Sequence, residues 1–199
     1  GQGKLSSAHV RDDWYVACTG KALGKNPLAT TLLGVPMVVF RDAKGHPHAL
    51  EDRCPHRNVP LSLGRVVGKN LECAYHGWQF DGEGGCTRVP GLCGKQESRG
   101  RRVPSYATQE HGGLVWVYGV PDVTPSRDPY RLPKHDDARY YTAIDVQEAD
   151  GTLHAVAENA LDVPHTAFLH RGLFRSDGVR QPIDVVVKRW HDRVEAQYI

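Results

Sequence analysis

The sequence predicts an α+β fold, in which an antiparallel β-domain comes first and a segment that combines a helix with strands follows. Short runs rich in β-branched and aromatic residues occupy most of residues 9–125. Prolines then crowd residues 120–133, and apolar residues at helical spacing begin at residue 153. We therefore expect two domains, 9–125 and 126–199, joined through the proline-rich stretch.

Composition and charge favour an ordinary soluble protein. Of the 199 residues, 40% are hydrophobic and 24% are charged, as in globular domains generally. A formal net charge of +2 indicates neither a nucleic acid nor a membrane as partner. The longest apolar run, residues 32–40, is too short to cross a bilayer and contains Gly34 and Pro36. Without a secretory signal, the sequence predicts a cytoplasmic protein.

The first domain reads as a series of strands and tight turns. Residues 42–45 predict a hairpin turn, and the glycine-rich residues 81–85 predict another one rather than a phosphate cradle, because no helix follows them. Strands are predicted at 14–17, 37–40, 48–51, 71–73, 78–80 and 114–118.

The second domain begins with a stretch, 140–146, whose composition predicts a strand. Asp150 or Thr152 is then expected to cap a helix that Pro164 ends or distorts. Two further strands, 183–188 and 194–199, are predicted to join at residues 190–193. The helix is indicated by an apolar stripe at helical spacing, namely Leu153, Val156, Ala157, Ala160 and Leu161.

Two short motifs offer soft metal ligands, Cys54-Pro55-His56-Arg57 and Cys73-Ala74-Tyr75-His76-Gly77-Trp78. Each motif mixes one thiolate with one imidazole, and sixteen residues separate His56 from Cys73. Zinc accepts two Cys and two His, usually from C-x2-C and H-x3-H pairs. A Rieske [2Fe–2S] centre instead binds two Cys on one iron and two His on the other, which suits mixed pairs. Buried cysteines beside surface histidines remain the plain alternative.

A second constellation runs through Asn159, Asp162, His165 and His170. Non-haem Fe(II) oxygenases bind iron through two His and one carboxylate. On an ideal helix His165 and His170 would stand about 140° apart, so both reach one ion only if Pro164 breaks the helix. The alternative is a solvated helix face with surface histidines. His154 is a weaker candidate ligand.

At these residues the chain resembles the Rieske non-haem iron oxygenases, specifically the oxygenase (alpha) component of the vanillate-demethylase-like monooxygenase branch. The resemblance implies a Rieske domain followed by the start of a helix-grip-like catalytic domain. It implies that His165 and His170 bind Fe(II) and that Asn159 lies near the iron. Asp162 would accept a hydrogen bond from a ligand histidine and, in a ring-shaped homotrimer, connect to His76 of a neighbouring subunit.

The resemblance also implies cofactors and partners. A [2Fe–2S] cluster would be held by Cys54, His56, Cys73 and His76, with electrons from NAD(P)H arriving through a flavin or ferredoxin reductase. O2 would then hydroxylate, or O- or N-demethylate, a hydrophobic aromatic or polycyclic substrate. The competing class is a Rieske-ferredoxin-type electron carrier, which would end near residue 125, and a zinc-stabilised binding module is the third.

Two departures from family patterns shape these expectations. Neither cluster loop carries the extra Cys of respiratory Rieske proteins, which favours the oxygenase or ferredoxin type. The family's third iron ligand is a carboxylate far beyond the second His, and residues 126–199 are too few to hold that domain. We therefore expect the N-terminal part of a longer oxygenase, the alternative being a short protein with an incomplete iron site. Carboxylates without a matching context are Asp177, Asp184, Asp192 and Glu195.

The remaining cysteines and a group of basic residues each allow a structural and a functional interpretation. Of five cysteines, Cys86 and Cys93 are able to pair, although free thiols in a reducing cytoplasm are the simpler interpretation. A small basic cluster is either a solvated loop or a docking site for an acidic electron donor. Its members are Arg99, Arg101 and Arg102.

Overall fold

Antiparallel strands dominate the computed structural model, which describes residues 10–91, 100–170, 184–191 and 193–199. The chain divides into two compact units, residues 1–143 and residues 144–199. The expected boundary between domains 9–125 and 126–199 stays a prediction.

The described part of the first unit holds ten strands arranged in two antiparallel sheets. The larger sheet has the order β1-β10-β9-β4-β3-β2, and the smaller one has the order β5-β6-β7-β8. A short 3-10 helix, Leu61–Leu63, precedes the smaller sheet. The strands are β1 Trp14–Thr19, β2 Leu28–Leu32, β3 Val35–Arg41, β4 Pro47–Glu51, β5 Arg65–Val67, β6 Asn70–Glu72, β7 Gln79–Phe80, β8 Cys86–Arg88, β9 Ser105–His111 and β10 Leu114–Pro121.

Strand β3 is buried on both faces, which explains its unbroken run of apolar residues. Because successive side chains of a strand point to opposite faces, Val38 and Phe40 enter one core while Met37 and Val39 enter the other. The first core contains residues of both sheets, including Leu71, Phe80, Cys54, Cys73 and Cys86. The second core lies within the larger sheet's own strands and includes Ala49, Val115 and Val117.

Most of the predicted elements of the first unit are confirmed. Strands cover every segment predicted there except the loop residues Cys73 and Trp78. Both predicted hairpin turns connect antiparallel neighbours, β3 with β4 and β7 with β8. The proline-rich stretch has no regular structure beyond Pro121 but is tied to β1, because Trp14 Nε1 donates to Arg127 O over 2.7 Å.

The strand predicted at residues 140–146 does not form, so that prediction was wrong. Residues 141–149 have no regular structure, and Tyr141 is 94% exposed. Aromatic and β-branched residues form strands when a partner strand pairs with them, and no strand in the described part of the chain does so here.

The predicted helix and hairpin of the second unit are confirmed. Helix α1 spans Leu153–Leu161. Thr152 caps its N-terminus, because the Thr152 hydroxyl accepts the Ala155 N–H over 3.1 Å. After Asp162 the chain makes a 3-10 turn, Val163–His165, followed by the short helix α2, Thr166–Leu169. Strands β11, Val185–Arg189, and β12, Val194–Tyr198, pair antiparallel. Residue 183, in the predicted strand 183–188, lies outside the described residues.

In the described ranges, no helix is long and apolar enough to cross a membrane.

Gly84 provides a test of how closely the turn after β7 packs against the main chain at Val103. Its φ is +77°, and an added Cβ would lie 1.9 Å from Val103 O. We expect Gly84→Ala to cost at least about 3 kcal/mol, because left-handed strain and a backbone clash add together. Gly45 is the matched control, since its φ is +88° and nothing lies within 4 Å of the added Cβ. Gly45→Ala should cost only about 1–2 kcal/mol, and equal losses in denaturant unfolding would contradict the packing argument.

Asp42 predicts a specific dependence of stability on pH. Burial raises the pKa of its carboxyl, but hydrogen bonds from His46 N–H, His48 and Lys44 N–H outweigh burial and lower the pKa to about 2. The folded pKa is below the unfolded value of about 4, so this contribution is complete above pH 4 and is lost as pH falls through about 2.

We expect Asp42→Asn to be less stable than the wild type at pH 7. The difference should shrink between about pH 4 and pH 2. Urea unfolding followed by circular dichroism measures this, and a difference that stays constant down to pH 2 would contradict the assignment to Asp42.

Candidate metal centre

The first ligand motif forms a closed loop directly after β4. Cys54 N–H donates to Val59 O over 2.9 Å, and Asn58 N–H donates back to Cys54 O over 2.8 Å. Asn58 has a φ of 58°, a left-handed conformation that Asn tolerates better than most residues.

The second motif closes in the same way between β6 and β7. Cys73 N–H donates to Trp78 O over 2.8 Å, and Gly77 N–H donates to Cys73 O over 3.0 Å. Gly77 takes the left-handed position with a φ of 67°. Both loops therefore share one hydrogen-bond frame, although their histidines stand at different places in it, His56 two and His76 three residues after the cysteine.

The two thiols lie together inside the protein. Cys54 is 2% exposed and Cys73 is 3% exposed, and both belong to the core shared by the two sheets. Burial, together with the neighbouring Cys73 thiol, raises the pKa of Cys54 to about 11. The free protein at neutral pH therefore holds a protonated Cys54, which must lose its proton to bind a metal.

The two imidazoles lie together at the rim. The ring centroids of His56 and His76 are 4.6 Å apart. His76 is exposed, whereas His56 is half-buried. Partial burial, and then the charges of His76 and Arg57, lower the pKa of His56, so its ring is neutral and available as a ligand at pH 7.

These four side chains therefore form two like pairs, sulfur inside and nitrogen outside. A cluster of two irons that binds two thiolates at one iron and two imidazoles at the other requires this pairing of donors. The residues present fit the group.

Aromatic side chains surround the imidazoles, which the sequence did not indicate. The Trp78 indole stacks on His56 with centroids 4.7 Å apart and an interplanar angle of 4°. Tyr75 lies against His76 at 3.9 Å, and Arg101 Cζ lies 5.8 Å from the centre of the Trp78 ring. The sequence showed only that Tyr75 and Trp78 belong to the second motif.

The predicted basic cluster of Arg99, Arg101 and Arg102 is partly engaged in an ion pair. Arg102 pairs with Asp122 at 2.6 Å, which ties it to the end of β10. Arg99 lies outside the described residues, as does Cys93, the suggested partner of Cys86.

In the second unit, the break at Pro164 brings two predicted iron ligands close together. The rings of His165 and His170 are 5.5 Å apart. His165 Nδ1 forms a short contact with Asp162 O, while the Asp162 carboxylate lies 3.8 Å from the same nitrogen. An open concavity of about 510 Å³ is lined by Glu158, Asn159, Leu161 and Asp162.

Two of the other candidates in this unit are engaged in ion pairs, and two are not described. His154 Nδ1 pairs with Glu158 at 3.4 Å, and Glu195 pairs with Arg193 at 3.1 Å. Asp177 and Asp192 lie outside the described residues. Within the ranges that the structure covers, no three His, Cys, Asp or Glu side chains are grouped so as to hold a single ion.

Comparison with known proteins agrees with this donor arrangement. A family model described as "Rieske [2Fe-2S] domain" matches residues 13–107. Dicamba O-demethylase, oxygenase component, from Stenotrophomonas maltophilia is 33% identical over 84% of this chain and 50% of its own length. Methylxanthine N1-demethylase NdmA from Pseudomonas putida is 32% identical over 88% of this chain and 52% of its own.

Solved structures give the same relationship. The solved structure of the P. putida CBB5 NdmA QL mutant with theobromine matches 95% of this chain and 58% of its own, with a TM-score of 0.83 and 30% identity. Dicamba monooxygenase with non-heme iron and dicamba matches 67% of this chain and 41% of its own, with a TM-score of 0.60 and 35% identity.

This chain thus spans about half the length of the curated demethylases described above. The prediction of a Rieske [2Fe–2S] domain is confirmed, and the relatives are named as demethylases and oxygenase components. Residues 13–107 thus form a Rieske [2Fe–2S] domain, and over most of its length the chain is similar to proteins named as oxygenase components.

Proposed function

We propose that this chain is the N-terminal part of an oxygenase component that hydroxylates, or O- or N-demethylates, a hydrophobic aromatic or polycyclic substrate. The observation that carries the proposal is the pair of equivalent loops, which gather two thiols in the core and two imidazoles at the rim. The demethylase names of two relatives support the vanillate-demethylase-like branch.

Cys54 and Cys73 would hold one iron of the cluster, and His56 and His76 would hold the other. Burial of the thiols excludes water from the sulfur side, while the exposed His76 keeps the nitrogen side within reach of a partner. When bound, the cluster and a mononuclear iron supply one-electron transfer and the activation of O2.

His165 and His170 would hold the mononuclear iron. Because the Asp162 carbonyl engages His165 Nδ1, Nε2 is left as the ligand atom of that ring. Asp162 thereby orients a ligand, and we assign to its carboxylate the contact with His76 of a neighbouring subunit in a homotrimer. Asn159 lies on the concavity next to Asp162 and would line the iron's surroundings.

The remaining partners follow from this assignment. A flavin or ferredoxin reductase would deliver electrons from NAD(P)H, and O2 and a small hydrophobic organic molecule would be the substrates. We place the protein in the cytoplasm. The rival assignment, a Rieske-ferredoxin-type carrier, needs neither His165 nor His170, so variants of these residues separate the two.

The cluster ligands are tested by serine substitutions and metal analysis. Cys86, which is buried in the same core, is the matched control for Cys54 and Cys73. We expect anaerobically purified protein to contain at least about two irons and two sulfides per chain. Cys54→Ser and Cys73→Ser should lose the visible absorption, and Cys86→Ser should keep it. Zinc in a colourless wild-type protein would refute the cluster.

The iron site is tested by His165→Ala, with His154→Ala as the control on the same stretch. In the full-length oxygenase component that contains this chain, we expect His165→Ala to abolish substrate turnover and to weaken Fe(II) binding outside the cluster at least about 10-fold, because a ligand is lost. The absorption and EPR spectra of the cluster should stay unchanged in both variants. Turnover that survives His165→Ala would show that the oxygenase assignment is wrong.

A further inference from the structure

The ring of His56 is held by other rings rather than by hydrogen bonds. Ligand histidines in proteins usually donate their second N–H to a carboxylate, carbonyl or water, which fixes the plane of the ring. Among the described residues, no side-chain hydrogen bond reaches the His56 imidazole. Its ring instead lies face to face on Trp78 at 4.7 Å and meets His76 edge-on at 4.6 Å.

Trp78 is itself anchored in two ways. Its side chain packs against the core that contains Cys54 and Cys73. Its main-chain carbonyl accepts the Cys73 N–H over 2.8 Å and so closes the second loop. The indole is therefore held against the core that contains both thiols.

Arg101 adds a cation to this arrangement. Its Cζ lies 5.8 Å from the centre of the Trp78 ring, within the range at which a guanidinium is attracted to an indole. A positive charge near a cluster favours the reduced state, since reduction potentials depend on the surrounding charge.

We propose that Trp78 is a positioning residue for the second iron's ligand His56, and that Arg101 holds Trp78 in place and raises the reduction potential of the cluster. This inference rests on the proposed ligation of the cluster by His56. The parallel stack limits rotation of the imidazole about its side-chain bonds, so the ligand nitrogen keeps its direction in both redox states.

The chain contains a matched control for a tryptophan stacked on a histidine. Trp116 lies on His111 with centroids 5.4 Å apart and an interplanar angle of 11°. Both residues belong to the β9–β10 hairpin of the larger sheet, outside the two ligand loops.

The experiment compares Trp78→Leu, Trp78→Phe and Trp116→Leu in the full chain loaded with its cluster. The measurements are the EPR g-values of the reduced protein, the reduction potential, and the half-life of the visible absorption in the presence of a chelator. We expect Trp78→Leu to shift the g-values and to shorten the half-life about 10-fold. Trp78→Phe should restore most of both, and Trp116→Leu should match the wild type.

Arg101 is tested in the same assay. Arg101→Gln should lower the reduction potential, whereas Arg101→Lys should keep it near the wild-type value because the cation remains. Should Trp78→Leu fail to fold, as judged by far-UV circular dichroism, Trp78→Met takes its place with the same expected changes, because it also removes the aromatic ring.

Three failures are distinguishable. A wild-type chain without iron and sulfide would overturn the proposed cluster and this inference with it. If the wild type is loaded and the variant without the Trp78 ring matches Trp116→Leu in g-values and half-life, the positioning role of Trp78 alone is overturned. An unchanged reduction potential in Arg101→Gln would overturn the role of Arg101.

Discussion

The candidate centre depends on one pattern of main-chain hydrogen bonds, which occurs in both ligand loops. In each loop a cysteine N–H donates to the carbonyl five residues later, and an N–H four residues later donates back. These bonds satisfy polar groups that enter the core with the cysteines, and unpaired groups would otherwise oppose burial of the loops. Because both loops close in the same way, their thiols meet in the core while their imidazoles meet at the rim.

Strand β3 packs against the core that contains the cysteines of both ligand loops. Its side chains alternate between the two cores. Through Val38 and Phe40 the larger sheet packs on the core that it shares with the smaller sheet. The hairpin from β3 to β4 then delivers the chain directly into the first loop. The second loop leaves through β7, whose turn returns the chain towards Val103 in the same core.

Local patterns were sufficient to predict much of this. The strands of the first unit, the Thr152 cap and the helix end before Pro164 follow from residue type and spacing, which act over a few residues. The segment 140–146 was mispredicted because strand formation needs a partner, and composition does not supply one. The motifs predicted which residues have ligand chemistry, and their assignment as ligands remains a prediction.

The stack of Trp78 on His56 was beyond the reach of the sequence, because these residues stand in different loops and meet only through the fold. The shared hydrogen-bond frame was hidden for a different reason. The histidines occupy different positions in the two motifs, and Asn58 in one loop takes the place of Gly77 in the other.

His56 stands two residues after its cysteine and His76 three, and the two imidazoles differ in exposure. His56 turns towards Trp78 and is half covered, whereas His76 remains open to solvent. A molecule that approaches from solution therefore meets His76 first, while the ring of His56 is partly shielded from water by the Trp78 indole. Two loops with the same hydrogen-bond pattern thus present one exposed and one partly buried imidazole.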